Sequence, residues 1–143
     1  MKIADVLRTK GSDVVTVGPD QTVEELLGLL ADHRIGAVVV SSGEAVVDGI
    51  VSERDVVRHL HADGVGVLGS AVSTIMTSEV RTCVESDDVR AVATTMTEGR
   101  FRHLPVVDDE GRLAAIVSIG DVVAYRIRDL AAERDQLEAY IHQ

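Results

Sequence analysis

Gly49-Ile50-Val51-Ser52-Glu53-Arg54-Asp55-Val56-Val57 returns, shifted by 66 residues from position 49 to 115, as Ala115-Ile116-Val117-Ser118-Ile119-Gly120-Asp121-Val122-Val123. The same shift pairs Val23 with Val89, Arg34 with Arg100 and Val40 with Val106. A register kept unbroken over that span means two copies of one folding unit. In each copy an apolar run ends in Ser-x-x-Asp and leads straight into another apolar stretch. That is the pattern of a strand passing through a polar turn into a helix. An Asp just ahead of a helical pattern makes a good N-cap, and a helix start offers free N–H groups and partial positive charge to an anion such as phosphate. Ser52, Asp55, Ser118 and Asp121 are therefore either caps and nothing more, or the polar wall of a small ligand site.

The rest of the composition narrows the choice. With 143 residues the chain makes one domain or a tight pair of subdomains, long enough to bury a proper core. Hydrophobic residues reach 45% while aromatics stand at 2% with no Trp, so the core must be built from Val, Ile, Leu and Ala, in valine-rich buried strands. A net charge of −10 argues against nucleic acid or an anionic membrane as partner, since Lys and Arg hold both. Cys83 is the single cysteine, which excludes an internal disulfide and fits a reducing cytoplasm. No apolar run approaches a membrane span, and the N-terminus lacks a signal-peptide core, so a soluble cytoplasmic protein is expected.

In chain order, Ile3, Val6 and Leu7 give a short helix, matched in the second copy by Val72 to Met76 with a shift of 69 rather than 66; the difference falls in the loops Arg8 to Asp13 and Thr77 to Glu79. Val14 to Val17 is expected as a strand. Thr22 and Glu25 have capping-box spacing ahead of a helix whose apolar stripe is Val23, Leu26, Leu27, Leu30 and Ala31. Ala37 to Val40 and Ala45 to Val51 are expected strands, followed by a helix from Val56 to about His61 and a glycine-rich link from Ala62 to Ala71. The second copy repeats the order. It has a strand around Arg81 to Val84, a helix from Asp88 to Thr97, strands Leu104 to Val107 and Arg112 to Val117, and a helix from Val122 to about Ile141. Ile127, Leu130, Leu137 and Ile141 recur in that tail at heptad-like spacing, interrupted by Arg134, which suits either a lid or a self-association surface.

Tandem strand-helix-strand-strand-helix units, each carrying Gly/Ala-Ile-Val-Ser-x-x-Asp, with Arg102-His103-Leu104-Pro105-Val106-Val107-Asp108 in the second, resemble a pair of cystathionine β-synthase (CBS) domains, over about Ile3 to Arg126. The resemblance implies an α+β fold: two β-α-β-β-α repeats about a pseudo-twofold axis, assigned here to 1–70 and 71–127, with a helical extension over 128–143. It also implies two ligand clefts between the copies, a disc-shaped homodimer, and adenine-containing ligands: AMP, ADP, ATP, S-adenosylmethionine or NAD-type dinucleotides. Carried over to this chain, Asp55 and Asp121 would accept hydrogen bonds from the ribose diol, and Ser52 and Ser118 would donate to phosphate or ribose. Ile50, Ile116, Ile35 and Phe101 would sandwich the adenine, and backbone near Val15 and Arg81 would read its rim.

The copies diverge where phosphates are expected: Arg102 and His103 stand in the second where the first has Gly36 and Ala37, and Arg54 in the first where the second has Gly120. This makes the Asp121 cleft, with Arg102, Gly36 and Gly120, the favoured nucleotide site, and the Asp55 cleft with Arg54 the second. His59 and His61, two apart on a helix, point away from each other and make a poor metal pair, and Cys83 matches Val17 on a strand as a small buried hydrophobe. No nucleophile, base and oxyanion site come together. The expectation is a regulatory module that binds AMP or ATP, or else NAD(H) or S-adenosylmethionine, and acts on a partner protein. It has no catalytic cofactor, no metal and no enzyme activity. The alternative is a dimerisation scaffold with vestigial clefts.

Overall fold

A computed structural model describes residues 1–11 and 13–142; Ser12, and Gln143 at the end of the extension expected over 128–143, lie outside the described residues. The first repeat holds α1 (Ile3–Lys10), β1 (Thr16–Val17), α2 (Val23–His33), β2 (Ala37–Val40), β3 (Gly49–Ser52) and α3 (Glu53–Asp63). Two short 3-10 turns, Val65–Gly69 and Val72–Thr74, lead into α4 (Val89–Gly99), β4 (His103–Val107), β5 (Leu113–Ser118) and the long α5 (Ile119–Ile141). One sheet has the order β1-β2-β3, with β1 parallel and β3 antiparallel to β2; the other pairs β4 with β5 antiparallel. The α+β architecture, its pseudo-twofold duplication and the extended last helix are those the sequence implied.

The local chemistry explains these elements, and it also explains where the boundaries move. Thr22 caps α2 by accepting from the Glu25 N–H at 3.1 Å, and Val23, Leu26 and Leu30 are its buried stripe; Ala31, expected in that stripe, is exposed. Helices α3 and α5 begin at Glu53 and Ile119, three residues before the expected Val56 and Val122, because Ser is the cap and Asp the third helical residue of a reciprocal box. The strand expected from Ala45 starts only at Gly49. Glu44 and Ala45 have φ of 52° and 60°, and the Asp48 carboxylate accepts from the Ser42 N–H, so 41–48 closes as a loop. The strand expected around Arg81 shrinks to one bridge, Cys83 to Val106. Cys83 N–H donates to the Pro105 carbonyl, but Pro105, standing where the first repeat has Val39, has no N–H to extend the ladder.

Each repeat is completed by a segment from the other. Ile3, Val6 and Leu7 of α1 are 0%, 2% and 7% exposed, and they pack with Val89, Val92, Met96, Leu104, Val117 and Val122 of the second repeat. Val67, Val72 and Ile75, from the connecting stretch, pack with Val17, Leu26, Val38, Val51 and Val56 of the first. Backbone bonds hold the exchange: Ile3 N–H donates to the Asp87 carbonyl at 2.9 Å, and Val72 N–H to that of Gln21 at 2.8 Å. The strand edge is close enough at Gly49 that an added Cβ would meet Met76 Sδ and the Thr77 carbonyl at 2.7 Å, which explains glycine there. The division of the sequence at residue 70 is therefore not a division between cores.

Cys83 is buried, and burial followed by the charge of Asp87 pushes its thiol up to about 12, so it stays protonated and unreactive in the native fold. Along α5, Ile127, Leu130, Leu137 and Ile141 are 63%, 47%, 64% and 74% exposed, so the tail does not act as a lid on its own chain. Among the described residues no helix is long and apolar enough to cross a membrane.

Candidate functional site

The two Ser-x-x-Asp corners are built alike. Asp55 Oδ2 accepts from Ser52 N–H at 2.8 Å and Ser52 Oγ at 3.0 Å, while Ser52 Oγ lies 3.3 Å from the Asp55 N–H that it caps. Asp121 Oδ2 accepts from Ser118 N–H at 2.8 Å, and the Asp121 N–H donates to Ser118 Oγ at 3.1 Å. Each carboxylate thus uses one oxygen to fix its own helix start. Neither Asp55 Oδ1 nor Asp121 Oδ1 accepts a bond among the described residues. The two corners differ in what else reaches them: Lys10 Nζ donates to Asp121 Oδ2 at 2.6 Å, whereas no cation pairs with Asp55 among the described residues. Burial raises the Asp121 pKa, but hydrogen bonds from Lys10 and Ser118 outweigh it and hold the carboxyl below its ordinary range.

A cavity of about 280 Å³ opens beside Asp55 at the seam between the repeats. The first repeat supplies Ile50 and Ser52 from the end of β3, Glu53, Arg54, Asp55 and Arg58 from the first turns of α3, and Gly36 and Ala37 from the entrance of β2. These meet because β2 and β3 are antiparallel neighbours, and the Glu53 N–H donates to the Gly36 carbonyl at 2.9 Å. The second repeat supplies Gly99, Arg100, Phe101, Arg102 and His103, the run joining α4 to β4, and Thr77 closes the wall. Arg54 and Arg58 share a helix face because they are four apart. Four arginines, Arg54, Arg58, Arg100 and Arg102, therefore line one cavity together with the acidic Glu53 and Asp55, and none of the four forms an ion pair among the described residues. Burial pushes His103 below its ordinary pKa, with Lys10 and Arg102 acting the same way against Asp121 and Glu53, so its ring is neutral near pH 7.

Of the residues singled out in the sequence, Gly36, Ile50, Ser52, Arg54, Asp55, Phe101, Arg102 and His103 share this cavity. Arg102 and Gly36, grouped from the sequence with Asp121 and Gly120, line the cavity with Asp55 instead. Arg102 does touch its own corner, since its carbonyl accepts from the Ile119 N–H at 2.8 Å, but Ser118, Gly120 and Asp121 are not on the cavity wall. Ile116 presents its carbonyl to Lys10. Ile35 lies in an adjoining shallow depression with Leu27, Leu30, Ala31 and Arg34. Val15 is half-buried against the first core, and Arg81 is exposed and off the cavity. Sequence reasoning passed over Glu53, Arg58, Thr77, Gly99 and Arg100 as wall residues. The i, i+4 spacing of Arg54 and Arg58 was the signal available for one of them. His59, the other half of the histidine pair, sits 3.6 Å from Asp63 Oδ2, and no metal-ligand cluster occurs among the described residues.

Known proteins share this fold. The sequence model of the CBS domain matches twice, over residues 3–62 and 72–128. The crystal structure of a CBS-domain containing protein from Agrobacterium tumefaciens superposes with a TM-score of 0.85 at 47% identity, covering 88% of this chain and 99% of that one. A CBS domain protein of Pyrobaculum aerophilum, complexed with AMP, superposes with a TM-score of 0.75 at 26% identity, covering 85% of this chain and 89% of its own. The mitochondrial CBS domain-containing protein CBSX3 of Arabidopsis thaliana is 33% identical over 147 residues, spanning 97% of this chain and 71% of that protein.

Proposed function

The chain belongs to the CBS-domain family, and from that premise we propose that it is a cytoplasmic regulatory module, not an enzyme, that binds an adenine nucleotide beside Asp55. Asp55 Oδ1 accepts from the ribose diol, Ile50 and Phe101 flank the base, and the arginines hold the phosphates. Ligand acts by shifting the balance between packings of the two repeats, and so the surface offered to a partner protein. The shift is bounded by the ligand's differential affinity for those packings. The observation that carries this reading is that four arginines, none in an ion pair among the described residues, line one cavity in a chain of net charge −10. A volume of about 280 Å³ lies just below the roughly 300–1,000 Å³ usual for small-molecule sites. The Pyrobaculum relative, complexed with AMP, supports the ligand class.

The same charge ranks the ligands. ATP and AMP bring phosphate anions, S-adenosylmethionine a net cation. With exposed ion pairs worth about 0.2–1 kcal/mol each, four arginines favour the phosphates by at least about fourfold. Titration calorimetry with ATP, AMP, NADH and S-adenosylmethionine is expected to show the nucleotides binding, more weakly as salt rises, and S-adenosylmethionine trailing by that factor. Equal affinity for S-adenosylmethionine, or no heat with any of the four, contradicts the reading.

We further propose a homodimer. Val57 on α3 and Val123 on α5 are equivalent under the 66-residue shift and are 65% and 48% exposed, with Leu60, Ile127 and Leu130 exposed beside them. Sedimentation velocity is expected to give a dimer for the wild type and a monomer for Val57→Asp with Val123→Asp; a monomeric wild type rules the dimer out.

A further inference from the structure

The notch between Ile50 and Asp55 opens into the cavity; its twofold mate, between Ile116 and Asp121, holds the end of a lysine. Lys10 Nζ donates to the Ile116 carbonyl at 2.5 Å and to Asp121 Oδ2 at 2.6 Å, and the two side chains are only 30% and 24% exposed. The lysine is delivered from a fixed base: it ends α1, whose Ile3, Val6 and Leu7 are anchored in the second repeat's own core. Among the described residues no lysine or arginine pairs with Asp55 in this way. Under the 69-residue shift that matches α1 to the segment after residue 71, Lys10 corresponds to Glu79, an exposed acid, and the wall residue that segment supplies is Thr77.

An ammonium shared between a carboxylate and a strand carbonyl offers the same kind of donors that a ribose diol would bring to that corner. Its charge also compensates Asp121, so a ligand taking its place would leave a half-buried lysine without its partner, at a cost typical of a lost charged hydrogen bond. We propose that Lys10 is a built-in occupant of the second corner, which makes the two clefts of the pair unequal, so that each chain takes one nucleotide, at Asp55. This rests on the nucleotide reading above. Lys10 is thus a residue that sets how many ligands bind, acting on Asp121 and not on the ligand held at Asp55.

Calorimetric stoichiometry on the full chain, with ATP and AMP as probes, tests it. Wild type is expected to bind one nucleotide per chain. Lys10→Met and Lys10→Gln, each shown to be folded by its melting transition, are expected to bind two. Asp55→Asn alone is expected to keep one site weakened about a hundredfold, and Lys10→Met combined with Asp55→Asn to gain one site of undiminished affinity, at Asp121. Two nucleotides on the wild type, or one on both Lys10 variants, overturns the role of Lys10 while leaving nucleotide binding in place. No binding by wild type or by any variant removes the nucleotide reading and this inference with it.

Discussion

Asp55→Asn is expected to weaken ATP and AMP binding about a hundredfold with little change in melting temperature. The size follows from two ribose hydroxyls donating to one carboxylate. Hydrogen bonds to a charged group are worth about 1.5–3 kcal/mol each, and about 1.4 kcal/mol is one decade of affinity. The Asn amide oxygen can still accept from the Ser52 N–H that Asp55 Oδ2 now takes at 2.8 Å, so the helix start is kept. What is lost is the charge and the second acceptor, replaced by an amide that presents donors to donors. Asp121→Asn is expected to leave the affinity of the remaining site as it was, because Asp121 does not line the cavity. Isothermal titration of both variants measures the contrast. A loss of less than threefold in Asp55→Asn would take that carboxylate out of the site.

The second large effect is expected at the other end of the chain, from Ile3→Ala. Ile3 is fully buried, and its neighbours Met96, Leu104 and Val117 belong to the second repeat. Truncating such a side chain costs about 2–5 kcal/mol through lost burial and the cavity left behind, a large share of the roughly 5–15 kcal/mol that holds a domain together. Denaturant unfolding reads the magnitude and hydrogen exchange reads the place. Protection should fall first in α4, β4 and β5, although the substitution lies more than 80 residues earlier in the sequence than any of them. Destabilisation below about 0.5 kcal/mol, or protection lost first in β2 and β3, would contradict the exchanged cores.

These two residues mark how far the sequence could be read. Asp55 was visible because its motif occurs twice, and a repeated Ser-x-x-Asp ahead of an apolar run carries its own local logic. The capping box, the helix it starts and the strand it ends are all settled within about ten residues. Its role in the box was misplaced by three residues because an Asp ahead of an apolar stripe resembles a cap, and only the Ser52 hydroxyl bond to the Asp55 N–H tells which residue is the cap. The shortened strand at Cys83 had a legible cause in Pro105, whose missing N–H appears as a fault only once the parallel partner is known. Ile3 presented a helical stripe, but a stripe states that a face is buried and not against which sheet.

The sequence by itself determined the duplication, the order of the helices and of the strands other than the one expected around Arg81, the two Ser-x-x-Asp corners and the arginine-bearing run before β4, because each follows from periodicity or from bonds between near neighbours. The tertiary structure alone decided which core each terminal segment completes, and which of two equivalent aspartates faces open space. It did so through contacts that span the chain: Lys10 reaches Asp121 across 111 positions, and Arg100 and Arg102 line one cavity with Arg54 and Arg58 across the seam. Apolar burial has no direction and is satisfied by either sheet, and a charge pair depends on where two side chains end in space. Both are fixed only when the whole chain is packed.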